Sequence, residues 1–290
     1  MNISLIGAGL MGQALSEHLL AKNQSLTIFN RSPNKTAKLQ QQGATIVASA
    51  QDALNTSEFC LLMLSDAEAI NIVLDTIEPE SFKDKFIIQM GTIAPDESQA
   101  LLKKFEAVGA SYLEAPVLGS IPEVKSGTLL LMVGATESQF QQYSTLFHVL
   151  GENPIHVGPV GKAAALKLAM NQLIAGLTSS FSLSLAFIQQ QGVAVEQFMQ
   201  VLSASALYAP TFDKKLNKMC ADDFANPNFP LKHLLKDIEL FIQASQTSGL
   251  DSSQLTAIQS TLKRSLKNGD ANLDYSALYR AIADITLGHQ

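Results

Sequence analysis

The stretch Gly7-Ala8-Gly9-Leu10-Met11-Gly12 constrains the fold more than any other, because of what flanks it. Met1 to Gly7 has the apolar pattern of a short strand, and a helical stripe of Met11, Ala14, Leu15, His18 and Leu19 follows. A lone G-x-G-x-x-G is a weak signal. Between a strand and a helix it specifies a dinucleotide-binding turn. Gly7 permits the tight turn, Gly9 lets backbone approach a pyrophosphate, and Gly12 allows close helix–strand packing. Leu10 and Met11 open the helix, whose N–H groups and positive dipole end are expected to meet the phosphates. His18 falls on the packed stripe and is read as a packing residue, not a catalytic one.

Leu26 to Phe29 reads as the second strand, ending at Asn30-Arg31-Ser32. An NAD-selecting site carries Asp or Glu there, to hold the ribose 2′-hydroxyl. Asn30 is neutral, and Arg31 can clamp a 2′-phosphate through charge-assisted hydrogen bonds, so the expected cofactor is NADP(H). Ser32 adds a hydroxyl and is placed to cap a helix with Pro33 at its first position.

The α/β alternation continues. Phe59 to Leu64 is an apolar run fit for a buried parallel strand. Ser65-Asp66-Ala67-Glu68 after it has the form of a capping box. Phe86 to Gln89 is the next strand, leading into Met90-Gly91-Thr92. Met63, Leu64 and Thr92 lie at carboxyl ends of strands, where open α/β sheets put their ligands, and are candidate cofactor contacts. Tyr112 to Val117 is a strand pattern ending in Leu118-Gly119-Ser120, Thr128 to Val133 is the next, and Pro154 to Val157 the last.

From Gly161 the pattern changes. After Asn171 the residues stay apolar or small as far as Ile188, with no proline and one glycine, Gly176, which predicts one helix of about 45 Å running to Gln191. Length alone suits a membrane span, but Lys167, Asn171 and a Ser/Thr-rich middle argue against it. Lys167 and Asn171 are four apart and share a face. After Gly192 strand signals stop. Leu231, Leu234, Leu235, Ile238 and Ile242 make a helical stripe, as do Leu255, Ile258 and Leu262, with Lys236 off the stripe and expected in solvent. The predicted architecture is an α/β Rossmann-like domain with a mainly parallel sheet over 1–160, a long helix over 161–191, and an all-α domain over 192–290. An apolar connecting helix needs cover, which makes a homodimer or homotetramer the expected assembly.

Composition narrows the function classes. A net charge of −6 disfavours nucleic acid as a partner. Two cysteines, Cys60 inside an apolar run and Cys220, form no disulfide framework and fit a cytoplasmic protein, as does the lack of a signal-peptide pattern. Five scattered histidines give no metal-ligand spacing.

Four motifs in order resemble the β-hydroxyacid dehydrogenase family over essentially the whole chain. They are Gly7 to Gly12, Glu114-Ala115-Pro116-Val117-Leu118-Gly119-Ser120, Gly158 through Asn171, and Lys236-Asp237. Glu114 to Gly127 and Asn30-Arg31-Ser32 look most like the glyoxylate/succinic semialdehyde reductase branch. The resemblance implies that Lys167 is catalytic and that Asn171 helps hold the substrate. It implies that Thr92 and Lys236 lie beside the nicotinamide, and that Phe229 and Asp237 line the substrate pocket. Leu118 departs from the branch, which usually has serine there. The implied substrate is a small carboxylate-bearing aldehyde, with Gly119 and Ser120 offering backbone N–H groups to its carboxylate. A lysine ammonium can stabilise a developing alkoxide and deliver its proton. The competing expectations are a 3-hydroxyisobutyrate-type dehydrogenase working oxidatively and a dinucleotide-binding protein without turnover.

Overall fold

A computed structural model describes residues 1–283, and the chain divides into two compact units, Met1–Leu168 and Ala169–Gln290. Among the described residues nine strands form one sheet: β1 Asn2–Ile6, β2 Ser25–Phe29, β3 Thr45–Ile46, β4 Phe59–Leu62, β5 Phe86–Gln89, β6 Ser111–Glu114, β7 Val117–Leu118, β8 Leu130–Gly134 and β9 Asn153–Gly158. The helices of the first unit are α1 Leu10–Ala21, α2 Ala37–Gln41, α3 Ala50–Asn55, α4 Ala67–Leu74, α5 Pro95–Glu106, α6 Ile121–Ser126, α7 Glu137–Gln142 and α8 Ser144–Leu150. The long helix is α9 Lys162–Gln190, followed by α10 Val195–Ser203, α11 Pro210–Cys220, α12 Leu231–Thr247, α13 Ser253–Lys267 and α14 Leu278–Ala283.

The sheet order is β3-β2-β1-β4-β5-β6-β8-β7, with β9 paired to β8. Strands β3 to β6 along this order are all parallel, which requires helical crossovers and cover on both faces. The sequence supplies that cover by alternation. Ile3, Leu5, Leu61, Ile88 and Leu113 point into one core; Ile6, Cys60, Leu62, Ile87 and Tyr112 point into the other. The order reverses direction after β1, so the carboxyl ends of β1 and β4 flank the switch point where such sheets bind ligands.

Several boundaries differ from the sequence reading. The strand expected over Tyr112 to Val117 breaks at Ala115-Pro116 into β6 and β7. Pro116 has no N–H to give a ladder, and only its carbonyl is used, accepting from Met132 N at 3.0 Å. The cap of α4 is Asp66, whose carboxylate accepts from Ala69 N at 2.7 Å, rather than Ser65. Pro33 does open a helical turn, but a 3₁₀ turn of three residues, and the Ser32 side chain makes no cap bond.

In the second unit, Ala175, Phe181 and Leu185 of α9 pack with Leu231, Leu234, Leu235, Ile238, Leu255, Ile258 and Leu262, so both expected stripes face one core. α9 is long and apolar enough for a membrane span by composition, but these side chains are in a protein core. The division between the two units falls within α9. Its residues through Leu168 belong with the sheet, and the remainder with the helices.

Candidate active site

The glycine turn follows from close approach. A Cβ on Gly7, whose φ is +107°, would lie 2.4 Å from the Met63 carbonyl oxygen, and one on Gly12 only 2.0 Å from the Gly7 carbonyl oxygen. Neither position admits a side chain. Gly9 differs, since a Cβ there meets nothing within 4 Å and the residue is exposed. Gly9 is the N-cap of α1, with no side-chain cap and no acidic residue in the first turn. The first-turn amides of Leu10, Met11 and Gly12 therefore point towards an open approach, with no protein carboxylate competing for an anion. This arrangement fits the pyrophosphate of a dinucleotide.

Asn30 is built into the turn. Its Oδ1 accepts from Ala8 N at 2.8 Å, and its Nδ2 donates to the Ser32 carbonyl at 2.9 Å. A carboxylate could not make the second bond. Asn30 thus holds the end of β2 against the glycine turn, while Arg31 beside it is exposed. Met63 and Leu64 come to the same place: the Leu64 carbonyl stands 2.3 Å from where a Gly91 Cβ would be, and Met63 Cγ 3.6 Å from a Gly12 Cβ. Thr92, next to Gly91, is half-buried. The turns after β1, β2, β4 and β5 therefore form one cluster.

The Leu118-Gly119-Ser120 segment departs from expectation. Ser120 donates both its N–H and its hydroxyl to Glu123 Oε2, each at 2.8 Å. That amide is committed to the protein's own carboxylate, so the substrate-binding nest expected from Gly119 and Ser120 lacks its Ser120 member. Gly119, at φ +134°, is close to protein instead: a Cβ would lie 2.9 Å from Leu129 Cδ1 and 3.0 Å from Glu123 Cβ. The S-x-x-E spacing of Ser120 and Glu123 was a readable signal for this pairing. Leu118 is half-buried on β7, in register with Leu130.

The start of α9 is plugged where that of α1 is open. Glu114, at the end of β6 and 1% exposed, accepts on Oε1 from the amides of Gly161 and Ala163 at 2.8 Å and Ala164 at 3.0 Å. Its Oε2 accepts from Ser98 Oγ, which also bonds the Tyr112 hydroxyl at 2.9 Å. Burial pushes the Glu114 carboxyl above the usual range, and the hydrogen bonds from Ser98 and the three amides pull against that. Lys167 lies on α9 one turn beyond these amides and is half-buried.

In the second unit, Asn171 is 1% exposed and donates Nδ2 to Asp237 Oδ2 at 2.5 Å. That bond fixes the carboxamide, because a carboxylate can only accept. Asn171 Oδ1 is left buried and unpartnered, an acceptor held ready for a donor. Asp237 is itself 2% exposed, with Lys236 Nζ 2.8 Å from its Oδ1. Lys236 is thus half-buried and paired, not in solvent as its place off the stripe suggested. Asp237 serves these two side chains instead of presenting a free carboxylate. Phe229 is half-buried, edge-on to Tyr275 with ring centroids 5.8 Å apart.

Comparison with known proteins gives these features their context. Residues 2–158 match the NAD binding domain of 6-phosphogluconate dehydrogenase, and residues 161–282 match the NAD-binding domain of NADP-dependent 3-hydroxyisobutyrate dehydrogenase. The chain belongs to the 3-hydroxyisobutyrate dehydrogenase-like family. Glyoxylate/succinic semialdehyde reductase 1 of Arabidopsis thaliana is 27% identical, over 97% of this chain and 98% of the relative. The 2-hydroxy-3-oxopropionate reductase of Escherichia coli K12 is 28% identical over 97% of each. Among solved structures, Mycobacterium tuberculosis 3-hydroxyisobutyrate dehydrogenase with L-serine superposes with a TM-score of 0.85 at 20% identity, covering 97% of this chain and 98% of that one. As a family member the protein is an NAD(P)-dependent β-hydroxyacid dehydrogenase, with the Rossmann-like sheet, long helix and helical domain expected of it. Two residues that the sequence reading did not single out, Glu114 as the clamp of α9 and Glu123 as the partner of Ser120, complete its local structure.

Proposed function

We propose that this dehydrogenase reduces a small aldehyde acid with NADPH, Lys167 supplying the proton. The observation that carries the reading is the fixed carboxamide of Asn171 one turn after Lys167 on α9, its donor half committed to Asp237 and its acceptor half buried and unpartnered. A buried acceptor costs free energy until something donates to it, and a carbonyl that is reduced to a hydroxyl offers that donor. Bound with its pyrophosphate at the α1 turn, NADPH would supply the hydride. As charge builds on the carbonyl oxygen, the Lys167 ammonium stabilises it and then donates a proton. Asn171 Oδ1 accepts from the new hydroxyl and so orients it.

NADPH is favoured over NADH because Arg31 is exposed beside the turn and Asn30 leaves no carboxylate to repel a 2′-phosphate. One such charge-assisted contact is worth about 1.5–3 kcal/mol, or roughly ten- to a hundred-fold. The likeness to glyoxylate/succinic semialdehyde reductases supports the substrate class. Within that class Leu118 favours the longer member. A four-carbon semialdehyde has methylenes to lay against leucine, each worth up to about 0.8 kcal/mol when buried. Glyoxylate has none. A cytoplasmic location and self-association complete the reading. The exposed face of α9, with Leu173, Leu177, Leu183 and Phe187, suits a homodimer or homotetramer.

Steady-state assays with NADPH and NADH against succinic semialdehyde and glyoxylate check this reading. The expected outcome is a kcat/KM for succinic semialdehyde with NADPH about tenfold or more above either alternative, and a shift towards glyoxylate in Leu118→Ser. A preference for glyoxylate in the unmodified enzyme contradicts the role given to Leu118, and equal use of the two cofactors contradicts the role given to Arg31.

A further inference from the structure

Glu114 opens the motif that also carries Leu118, Gly119 and Ser120, yet its side chain turns to the opposite task. We propose that Glu114 is the positioning residue of the catalytic helix: its buried carboxylate seats the first turn of α9 and thereby fixes where Lys167 stands. The proposal rests on the proton-donor role given to Lys167 above.

The N-terminal amides of α9 can be accounted for one by one. Ala165 N donates to the Gly161 carbonyl and Lys162 N to the Pro159 carbonyl, each at 3.1 Å. The amides of Gly161, Ala163 and Ala164 all converge on one oxygen, Glu114 Oε1. No residue flanking the helix in sequence does this work; it is done from a strand some fifty positions earlier. A negative charge is the natural partner for the positive end of a helix of 29 residues. Bonds from amides to an ionised acceptor are also shorter and stronger than neutral ones.

The surroundings are built to hold the carboxylate there. Ser98 donates to the second oxygen, and Ser98 is itself tied to the Tyr112 hydroxyl. Across the sheet the residue paired with Glu114 is Gly134, and its lack of a side chain makes the room. A Cβ on Gly134 would lie 2.4 Å from Glu114 Oε1 and 2.5 Å from its Cγ. Gly134 has no positive φ, so glycine is needed there for space and not for backbone conformation. Hydrogen bonds from α5 and from the start of α9 therefore fix one carboxylate, and that carboxylate fixes the turn that precedes Lys167. Catalysis is sensitive to small displacements of a proton donor, so loosening this clamp acts on turnover before it acts on cofactor binding.

The test compares Glu114→Ala, Glu114→Gln and Gly134→Ala in the full-length enzyme. Three quantities are read: kcat per NADPH-binding site, NADPH Kd, and amide hydrogen exchange of the segment 161–167. Glu114→Ala is expected to lower kcat at least tenfold, leave NADPH Kd within about twofold, and speed exchange of the segment. Glu114→Gln keeps the reach and an accepting oxygen but not the charge, so it recovers part of kcat and part of the protection relative to Glu114→Ala. Gly134→Ala, which displaces the carboxylate without touching it chemically, reproduces the loss and carries the test if Glu114→Ala does not fold. Wild-type kcat and exchange in either Glu114→Ala or Gly134→Ala overturns the proposal. So does failure of Glu114→Gln to recover turnover. If Lys167→Ala retains full turnover, it is the Lys167 reading that fails. The exchange data then still report, by themselves, whether Glu114 holds the helix.

Discussion

At the scale of single residues, the protein repeatedly satisfies a polar group so that its other half is left with one orientation. Asn30 is pinned by Ala8 and Ser32, and Asn171 by Asp237. For Asn171 the pinning leaves Oδ1 buried without a hydrogen-bond partner. Asp237→Ala removes the anchor, so the carboxamide can rotate, and the lost bond to a charged group is worth about 1.5–3 kcal/mol. The expected result is a fall in kcat/KM for the aldehyde acid of roughly ten- to a hundred-fold. Unchanged kcat/KM in that variant would show that Asp237 does not hold Asn171 for the reaction. At this scale the sequence was only partly legible. Lys167 and Asn171 stood out because a packed helix does not require them at that spacing. The ion pair of Lys236 with Asp237 is not legible from periodicity, which places Lys236 in solvent and does not pair adjacent residues.

At the scale of elements, α1 and α9 are contrasting uses of a helix N-terminus. α1 is left open behind Gly9, which suits a phosphate, and α9 is closed by Glu114. The glycine turn and the run of α9 were readable because local periodicity and steric need specify them. The break of the sixth strand at Ala115-Pro116 was also written locally, in a proline, but the clamp by Glu114 was not, since it joins residues about fifty apart. The two glycines at and within α9 give opposite expectations. Gly161 has φ +98°, where a Cβ is strained, and that Cβ would lie 2.8 Å from Gln99 Nε2. Gly161→Ala should destabilise the protein by about 1–2 kcal/mol. Gly176 lies mid-helix, and a Cβ there would meet nothing within 4 Å, so Gly176→Ala should stabilise it by about 0.5–1 kcal/mol. Thermal or urea unfolding of the two variants checks the pair; shifts of the same sign contradict it.

At the scale of the whole molecule, the two units are folded on separate logics. The first is a mainly parallel sheet whose alternating side chains feed two cores; the second is a helical core gathered on Ala175, Phe181 and Leu185 of α9. Composition and patterning made both fold classes legible, whereas the point where α9 passes from one unit to the other depends on tertiary contacts and was not. Leu173, Leu183 and Phe187 remain 47%, 62% and 60% exposed on α9, more apolar surface than one helix of a monomer ordinarily leaves to water. Light scattering at micromolar concentration is expected to give at least the dimer mass, and Leu183→Glu with Phe187→Glu to lower it. A monomer mass for the unmodified protein contradicts this. The central claim, that the protein is an NADPH-dependent reductase with Lys167 as proton donor, is tested most directly by single-turnover NADPH oxidation. The assay uses succinic semialdehyde with the wild-type enzyme and Lys167→Ala. The variant is expected to bind NADPH with little change and to oxidise it about 10²–10⁴-fold more slowly. Oxidation by Lys167→Ala at a rate near that of the wild type would contradict the claim.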